Sequence, residues 1–352
     1  MKYFPIDNTL FIKNRKHFIE NMLNNSIAFF NSNDCYPVSA DTTLPFEQHR
    51  DLFYLSGVNQ EETILLIYKN NNSNYQEVLF LTKPNDLLTH WEGERLNVEK
   101  AYSISGIKTV YWLDQLDDVV KKIMQNVKIL YLNKNEHYRA KVETETREKR
   151  FNNWIKKEYP SKDLKGSNSI LQKLRSVKSS IEIELIRKAC DITEKGFRRI
   201  LNFVKPGVWE YEIEAEFSHE FLKNRSKKFA YSPIIASGKN STILHYVENN
   251  NQCLKGDILL LDVGAEYANY SSDMTRTIPV SGKFSKRQKS IYNSVLNVKN
   301  EATKLLKPGI LWKDHYEEVG KIMTAELLKL GLLSKSDIQN QTKKNPAFKK
   351  FF

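Results

Sequence analysis

Six short apolar runs alternate with amphipathic stretches over the first part of the chain. They are NSIAFF (25–30), DLFYLSG (51–57), ETILLIYK (62–69), EVLFLTK (77–83), KTVYWL (108–113) and VKILYLN (127–133). Runs of this length, separated by helical patterns, are typical of strands in a largely buried sheet that helices cover. The pattern therefore predicts a strand at each run and an α/β domain built from them.

The pattern of apolar and polar residues changes after KKEYPSKDLKGSNS (156–169), a polar stretch that contains proline and glycine. A chain of 352 residues is long enough for two cores, because single cores rarely grow beyond about 250–300 residues. We place the domain boundary in this stretch, with one domain over 1–160 and a second over 171–352.

The second domain is predicted to begin with a long helix. The segment 179–204 has apolar residues at helical spacing, and Ser179 and Glu182 stand at its start where a capping box would place them. A weak internal repeat follows, because 192–217 resembles 295–320. Each copy is predicted to form a helix, a Pro-Gly turn and a second helix.

Two aspartates frame the turn that follows the first copy of the repeat. The run LLLDV ends on Asp262, and Asp273 stands at the start of the returning apolar segment. We predict a hairpin that turns at YANY (267–270) and places the two residues directly opposite each other, with Cβ atoms ~4.5–5.5 Å apart. Ionised carboxylates at that distance repel unless a proton or a cation lies between them, and two divalent ions would meet this need. The alternative, with Asp262 opening a turn and Asp273 facing solvent, is not excluded by spacing.

Charge and cysteine content narrow the class of protein. The net charge of +12 comes from 54 Lys and Arg against 42 Asp and Glu, but the basic residues are spread along the chain. No basic stripe is interleaved with stacking aromatics, so we expect no nucleic-acid partner. The three cysteines form no CxxC pair, and no apolar run reaches the length of a signal core or a membrane span. We expect a cytoplasmic protein without a membrane partner.

Several segments together resemble aminopeptidase P, the Xaa-Pro aminopeptidases of the creatinase and methionine-aminopeptidase superfamily. The stretch LLLDVGAEYANYSSDMTRTIPVSGKFSKRQKSIYNSVL (259–296) looks like the family's metal-binding signature. The segment 175–193 resembles the entry helix of its catalytic domain, and 231–246 resembles its substrate-histidine segment. The segments 49–67 and 91–95 look like its N-terminal domain. The resemblance implies an α/β N-terminal domain followed by an α+β pita-bread catalytic domain.

The resemblance also implies roles for four residues. Asp262 matches a bidentate ligand of one metal ion, and Asp273 matches the ligand that bridges both ions. His245 matches the histidine that contacts the substrate and stabilises the tetrahedral intermediate, and Tyr231 matches a tyrosine beside the metal centre. The implied cofactors are two divalent ions, with manganese the family's usual metal. The implied partner is a peptide with proline second, and the complete protein is expected to be a homo-oligomer.

The chain departs from the family pattern at its far end. The family completes its site with a histidine and two glutamates from the second half of the catalytic domain, and none has a matching position in 1–352. The segment DHYEE (314–318) offers donors, but it lies in the repeated helix and favours a solvated face. We therefore expect a C-terminally truncated form, with an incomplete pita-bread domain, weak metal binding and little or no turnover.

Three functions remain open at this stage. The first is a metalloaminopeptidase that releases the N-terminal residue from Xaa-Pro peptides, with a metal-bridging hydroxide attacking the scissile carbonyl. The second is a non-catalytic relative that binds peptides or proteins through the same domains. The third is a creatinase-like amidinohydrolase, which the SGKFSKRQ segment (281–288) and the aminopeptidase-like N-terminal domain disfavour.

Overall fold

The structure is a computed structural model that describes residues 3–134, 142–342 and 345–351. The chain divides into two compact units. Unit 1 comprises residues 1–191, 225–227 and 266–272, and unit 2 comprises 192–224, 228–265 and 273–352. In the described part of the chain, no helix is both long and apolar enough to cross a membrane.

The helices and strands follow one another in this order: α1 (Thr9–Asn21), β1 (Ser26–Asn31), β2 (Pro37–Ser39), β3 (Thr42–Thr43), α2 (Arg50–Ser56), β4 (Ile64–Lys69), β5 (Tyr75–Leu81), α3 (Asp86–Glu92), α4 (Val98–Ser105), β6 (Thr109–Trp112), α5 (Leu116–Met124), β7 (Ile129–Leu132), α6 (Arg147–Glu158), β8 (Asp163–Gly166), α7 (Asn168–Ser176), α8 (Ser180–Phe203), α9 (Glu210–Lys223), β9 (Ile234–Ser237), β10 (Ile258–Val263), β11 (Glu266–Tyr267), β12 (Tyr270–Ser271), β13 (Met274–Pro279), α10 (Lys286–Leu305), α11 (Trp312–Lys329) and α12 (Lys335–Gln339). Short 3₁₀ helices cover Leu113–Gln115, Gly238–Thr242 and Ala347–Lys350.

A six-stranded mixed sheet organises unit 1, in the order β6-β5-β4-β1-β7-β8. Strand β1 pairs antiparallel with β4 and parallel with β7. Successive side chains of a strand point to opposite faces, and β1 supplies both: Ala28 and Phe30 enter one apolar cluster, while Ile27 and Phe29 enter the other. Burial on both faces explains why these strands read as continuous apolar runs rather than as alternating ones.

Five of the six predicted strands are confirmed, and the prediction at 51–57 is wrong. That run forms helix α2, with Leu52–Ser56 all buried. Periodicity does not distinguish a short helix buried on all sides from a buried strand, so the end signals decide. The side chain of His49 accepts a hydrogen bond from Asp51 N at the start of the helix, and Gly57 ends it in the left-handed conformation.

The N-cap at His49 is expected to make the stability of the protein depend on pH. His49 is 5% exposed, and burial lowers the pKa of its imidazole from 6.5. The neutral ring is also the form whose Nδ1 can accept from Asp51 N. The pKa of His49 is lower in the folded protein than in the unfolded chain. The stability that the neutral ring contributes is therefore present above pH 6.5 and is lost as the pH falls below it. We expect up to about 1.4 kcal/mol of unfolding free energy to be lost per pH unit until the folded pKa is reached.

Urea unfolding at a series of pH values tests the cap, with His49→Asn as the matched variant. Asparagine keeps a side-chain acceptor at the N-cap but does not titrate. The variant should therefore show a shallower loss of stability below pH 6.5 than the wild type. Parallel curves for the two proteins would contradict the assignment.

Unit 2 contains a three-stranded antiparallel sheet in the order β13-β10-β9. Both copies of the predicted repeat have their helices, because α9 follows α8 and α11 follows α10. The turn glycines Gly207 and Gly309 have positive φ angles of 98° and 91°, a region that side-chain-bearing residues rarely occupy. The repeat prediction is confirmed at this level. At the start of α8, Ser179 N donates to Glu182 Oε2 at 2.8 Å, as the capping box predicts.

Candidate metal centre

Strand β10 places Asp262 on the less buried face of its sheet. Leu259, Leu261 and Val263 are fully buried, while the alternate positions Leu260 and Asp262 are half-buried. The two-residue period of a strand separates the three apolar anchors from the carboxylate. The anchors therefore fix the strand and leave the carboxylate facing outward from the core.

The register of the hairpin differs from the predicted one by two residues. Asp262 lies opposite Thr275, and Asp273 comes just before β13 begins at Met274. The pairing is symmetric about Ala268 and Asn269 in the middle of YANY, where Tyr267 lies opposite Tyr270, so the predicted pairing had its centre one residue too early. Since a strand has period two, the shift keeps Asp273 on the face of Thr275 and Asp262. The predicted direct opposition is wrong, and the two carboxylates are diagonal neighbours on one face.

One phenol joins the two carboxylates. The hydroxyl oxygen of Tyr231 lies 2.6 Å from Asp262 Oδ1 and 3.1 Å from Asp273 Oδ1. The sum of these distances is an upper bound on the separation of the two carboxylate oxygens, so they converge on one point. Burial, followed by the two neighbouring aspartates, raises the pKa of Tyr231 above its usual value. The phenol therefore stays protonated at neutral pH and acts as a donor.

His245 belongs to the same unit as this cluster but makes no direct polar contact with it among the described residues. It lies in a turn between β9 and β10, just after the 3₁₀ helix 238–242, and its side chain is exposed. In the part of the chain that the structure describes, no hydrogen bond or ion pair joins it to Tyr231, Asp262 or Asp273. The structure thus brings together three of the four predicted site residues and places the fourth on an accessible turn.

The donor atoms are of the type that binds hard divalent cations, but there are too few of them to form a closed site. Asp262 and Asp273 supply carboxylate oxygens and Tyr231 supplies a third oxygen close by, and oxygen ligands suit ions such as manganese and magnesium. Among the described residues, however, no group of three or more His, Cys, Asp and Glu side chains is arranged to hold a metal ion. The centre consists of two of the carboxylates that such a site needs.

The segment 314–318 does not supply the remaining donors. It lies within α11, where Glu317 pairs with Lys313 and Glu318 pairs with Lys321 on exposed surface. His315 stacks on Trp312, and its Nε2 lies 3.0 Å from Ala302 O. The segment is therefore a solvated helix face that is tied to its own neighbours.

Sequence reasoning missed one buried acid in unit 2. Glu210 begins α9 and is 0% exposed, yet its carboxylate accepts four hydrogen bonds from Ser237, Tyr246 and Asn251. An acid in the first turn of a helix is an ordinary complement to the helix dipole. No local signal therefore separates Glu210 from a surface residue, because its partners are 27 to 41 positions away.

Two family models match the chain. Residues 184–346 match the metallopeptidase family M24, and residues 11–131 match the N-terminal domain of aminopeptidase P. A Xaa-Pro aminopeptidase of Haemophilus influenzae is 34% identical over 312 residues, which are 89% of this chain and 70% of that protein. A Xaa-Pro aminopeptidase of Escherichia coli is 30% identical over 344 residues, which are 97% of this chain and 77% of that protein.

A solved structure agrees with the sequence relatives. The zinc-substituted aminopeptidase P of E. coli in complex with product superposes with a TM-score of 0.84 at 28% identity. The match covers 94% of this chain and 76% of the other. The two architectures, an N-terminal mixed-sheet domain and an M24 catalytic domain, are therefore those expected from the sequence.

Proposed function

Because the chain belongs to the Xaa-Pro aminopeptidase family of M24 metallopeptidases, we propose that it acts on peptides with proline second and releases their N-terminal residue. The observation that carries this proposal is the convergence of Asp262 Oδ1 and Asp273 Oδ1 on the Tyr231 hydroxyl. Two carboxylates held together on one strand face are suited to share divalent cations. A non-catalytic relative would not need to keep this pair together.

Each site residue receives a role in the proposal. Asp262 and Asp273 would hold the ions, and manganese suits their oxygen donors. Bound ions would polarise the scissile carbonyl. The Tyr231 hydroxyl shares its one hydrogen between the two carboxylates, and these hydrogen bonds keep both side chains oriented. His245, exposed on its turn, would donate a hydrogen bond to the carbonyl oxygen as negative charge develops there.

The turnover of the polypeptide 1–352 is proposed to be low. Among its described residues, no three His, Cys, Asp or Glu side chains come together in an arrangement that could hold a metal ion. With fewer ligands, the chain would hold the ions more weakly, and they would polarise the carbonyl less often. We also propose a cytoplasmic location and a homo-oligomeric assembly.

A paired-peptide assay tests the proposed function. A tripeptide with proline second and the same tripeptide with alanine second are incubated with a high concentration of 1–352 and Mn²⁺. We expect slow release of the first residue from the proline peptide only, dependent on Mn²⁺ and absent in Asp262→Ala. Equal cleavage of both peptides would contradict the substrate class, and rapid turnover by 1–352 would contradict the low activity.

A further inference from the structure

We propose that Glu210 is a positioning residue for His245: its buried carboxylate fixes both ends of the segment that carries the imidazole. The inference rests on the function proposed above, which gives His245 its role. Glu210 itself is 0% exposed and begins α9, directly after the first Pro-Gly turn of the repeat. Its position is therefore set by a helix that belongs to the core of unit 2.

One oxygen of the carboxylate holds the start of the segment. Glu210 Oε1 accepts from Ser237 N and from Ser237 Oγ, each at 2.7 Å. Ser237 is the last residue of β9, and the 3₁₀ helix 238–242 begins immediately after it. This oxygen thus fixes the point at which the chain leaves the sheet.

The other oxygen holds the end of the segment. Glu210 Oε2 accepts from the Tyr246 hydroxyl at 2.7 Å and from Asn251 N at 2.9 Å. Tyr246 follows His245 directly and is 7% exposed. Between the two anchors, Leu244 is 90% exposed. Because Leu244, on one side of His245, is exposed and Tyr246, on the other side, is buried, the buried end of the segment determines where the turn lies.

A second residue ties the same two stretches of chain together. Asn249 adopts a left-handed backbone with φ of 48°, and its Oδ1 accepts from Ile235 N at 3.1 Å. Its Nδ2 donates to Glu214 Oε2 at 2.8 Å, one helical turn beyond Glu210. Buried polar groups that satisfy one another in this way rigidify the segments they join. Hydrogen bonds thus connect both ends of the His245 turn to α9.

Two variants and a matched control test the proposal on the full chain. Glu210→Gln keeps the size of the side chain but replaces one acceptor oxygen by a donor, and Tyr246→Phe removes a single donor. Glu216→Gln is the control, because Glu216 lies on the same helix and pairs with Arg199. The readouts are the imidazole signals of His245 in isotope-labelled protein, assigned with His245→Gln, and amide exchange at Ser237 and Asn251.

We expect Glu210→Gln to shift and broaden the His245 signals and to speed exchange at the two amides about tenfold or more. Tyr246→Phe should give a smaller change in the same direction, and Glu216→Gln should give none. Unchanged His245 signals in Glu210→Gln, or exchange that rises equally throughout unit 2, would overturn the proposal. Neither readout uses hydrolysis, so a failed peptide assay would count against the proposed function without deciding this inference.

Discussion

Replacing Gly57 by alanine is expected to lower the free energy of unfolding by about 2–5 kcal/mol, the largest stability effect we predict for a single methyl group. Gly57 has a φ of 69°, a conformation that costs an alanine about 1–2 kcal/mol. An added Cβ would also lie 2.6 Å from Phe11 Cζ. Phe11 is 1% exposed and packs edge-to-face on Phe53, so its ring has no free space to move into.

Comparison with Gly106→Ala distinguishes the cost of the steric clash at Gly57 from the cost of the backbone strain. Gly106 also ends a short helix, with φ of 71°, and its N donates to Tyr102 O at 2.7 Å, as Gly57 N does to Phe53 O. An added Cβ would lie 2.6 Å from Ile12 Cγ1, but Ile12 is 42% exposed and can rotate outward. We expect a cost of about 1–2 kcal/mol, since mainly the strain remains. Urea titrations that give equal losses for the two variants would contradict a rigid Phe11.

The hairpin shows which part of the site can be predicted from sequence. Alternation along LLLDV places Asp262 on one face, and an even shift of register cannot move Asp273 to the other. The register also follows from the sequence, because pairing that is symmetric about Ala268 and Asn269, the middle of YANY, puts Asp262 opposite Thr275. The predicted opposition of Asp262 and Asp273 was wrong because it placed the centre of the turn one residue too early, while the shared face followed from the strand period alone.

In the fold, the features that local sequence signals determine were predicted, and those that distant contacts determine were not. The two helix pairs of the repeat were predictable because helical spacing and Pro-Gly turns are local signals. The run 51–57 was not, because an entirely buried short segment has no polar face to reveal its period. Glu210 was missed for a related reason: Ser237, Tyr246 and Asn251 meet it only after the chain has folded.

Removing either aspartate is expected to weaken Mn²⁺ binding by more than about 100-fold, the largest functional effect we predict. Loss of a residue that merely orients a ligand already costs about 10–100-fold in metal affinity, and loss of a ligand should cost more. Asp262 and Asp273 converge on one hydroxyl, so neither alone offers the cation two charged donors. The double variant should therefore bind little more weakly than each single variant.

Asp257→Asn is the matched control for charge. Asp257 lies just before β10, and its Oδ2 accepts from Leu254 N at 3.1 Å. The substitution removes one negative charge from the same stretch of chain and keeps an acceptor for that bond. Its effect on Mn²⁺ affinity should stay within a few-fold, because Asp257 is five strand positions from Asp262 and salt screens charges over that distance.

Electron paramagnetic resonance of free Mn²⁺, titrated with the 1–352 polypeptide and its variants, tests the central claim most directly. We expect the wild type and Asp257→Asn to remove Mn²⁺ from solution alike, and Asp262→Ala and Asp273→Ala each to leave it free. Retention of full Mn²⁺ affinity after both aspartates are replaced would contradict this claim.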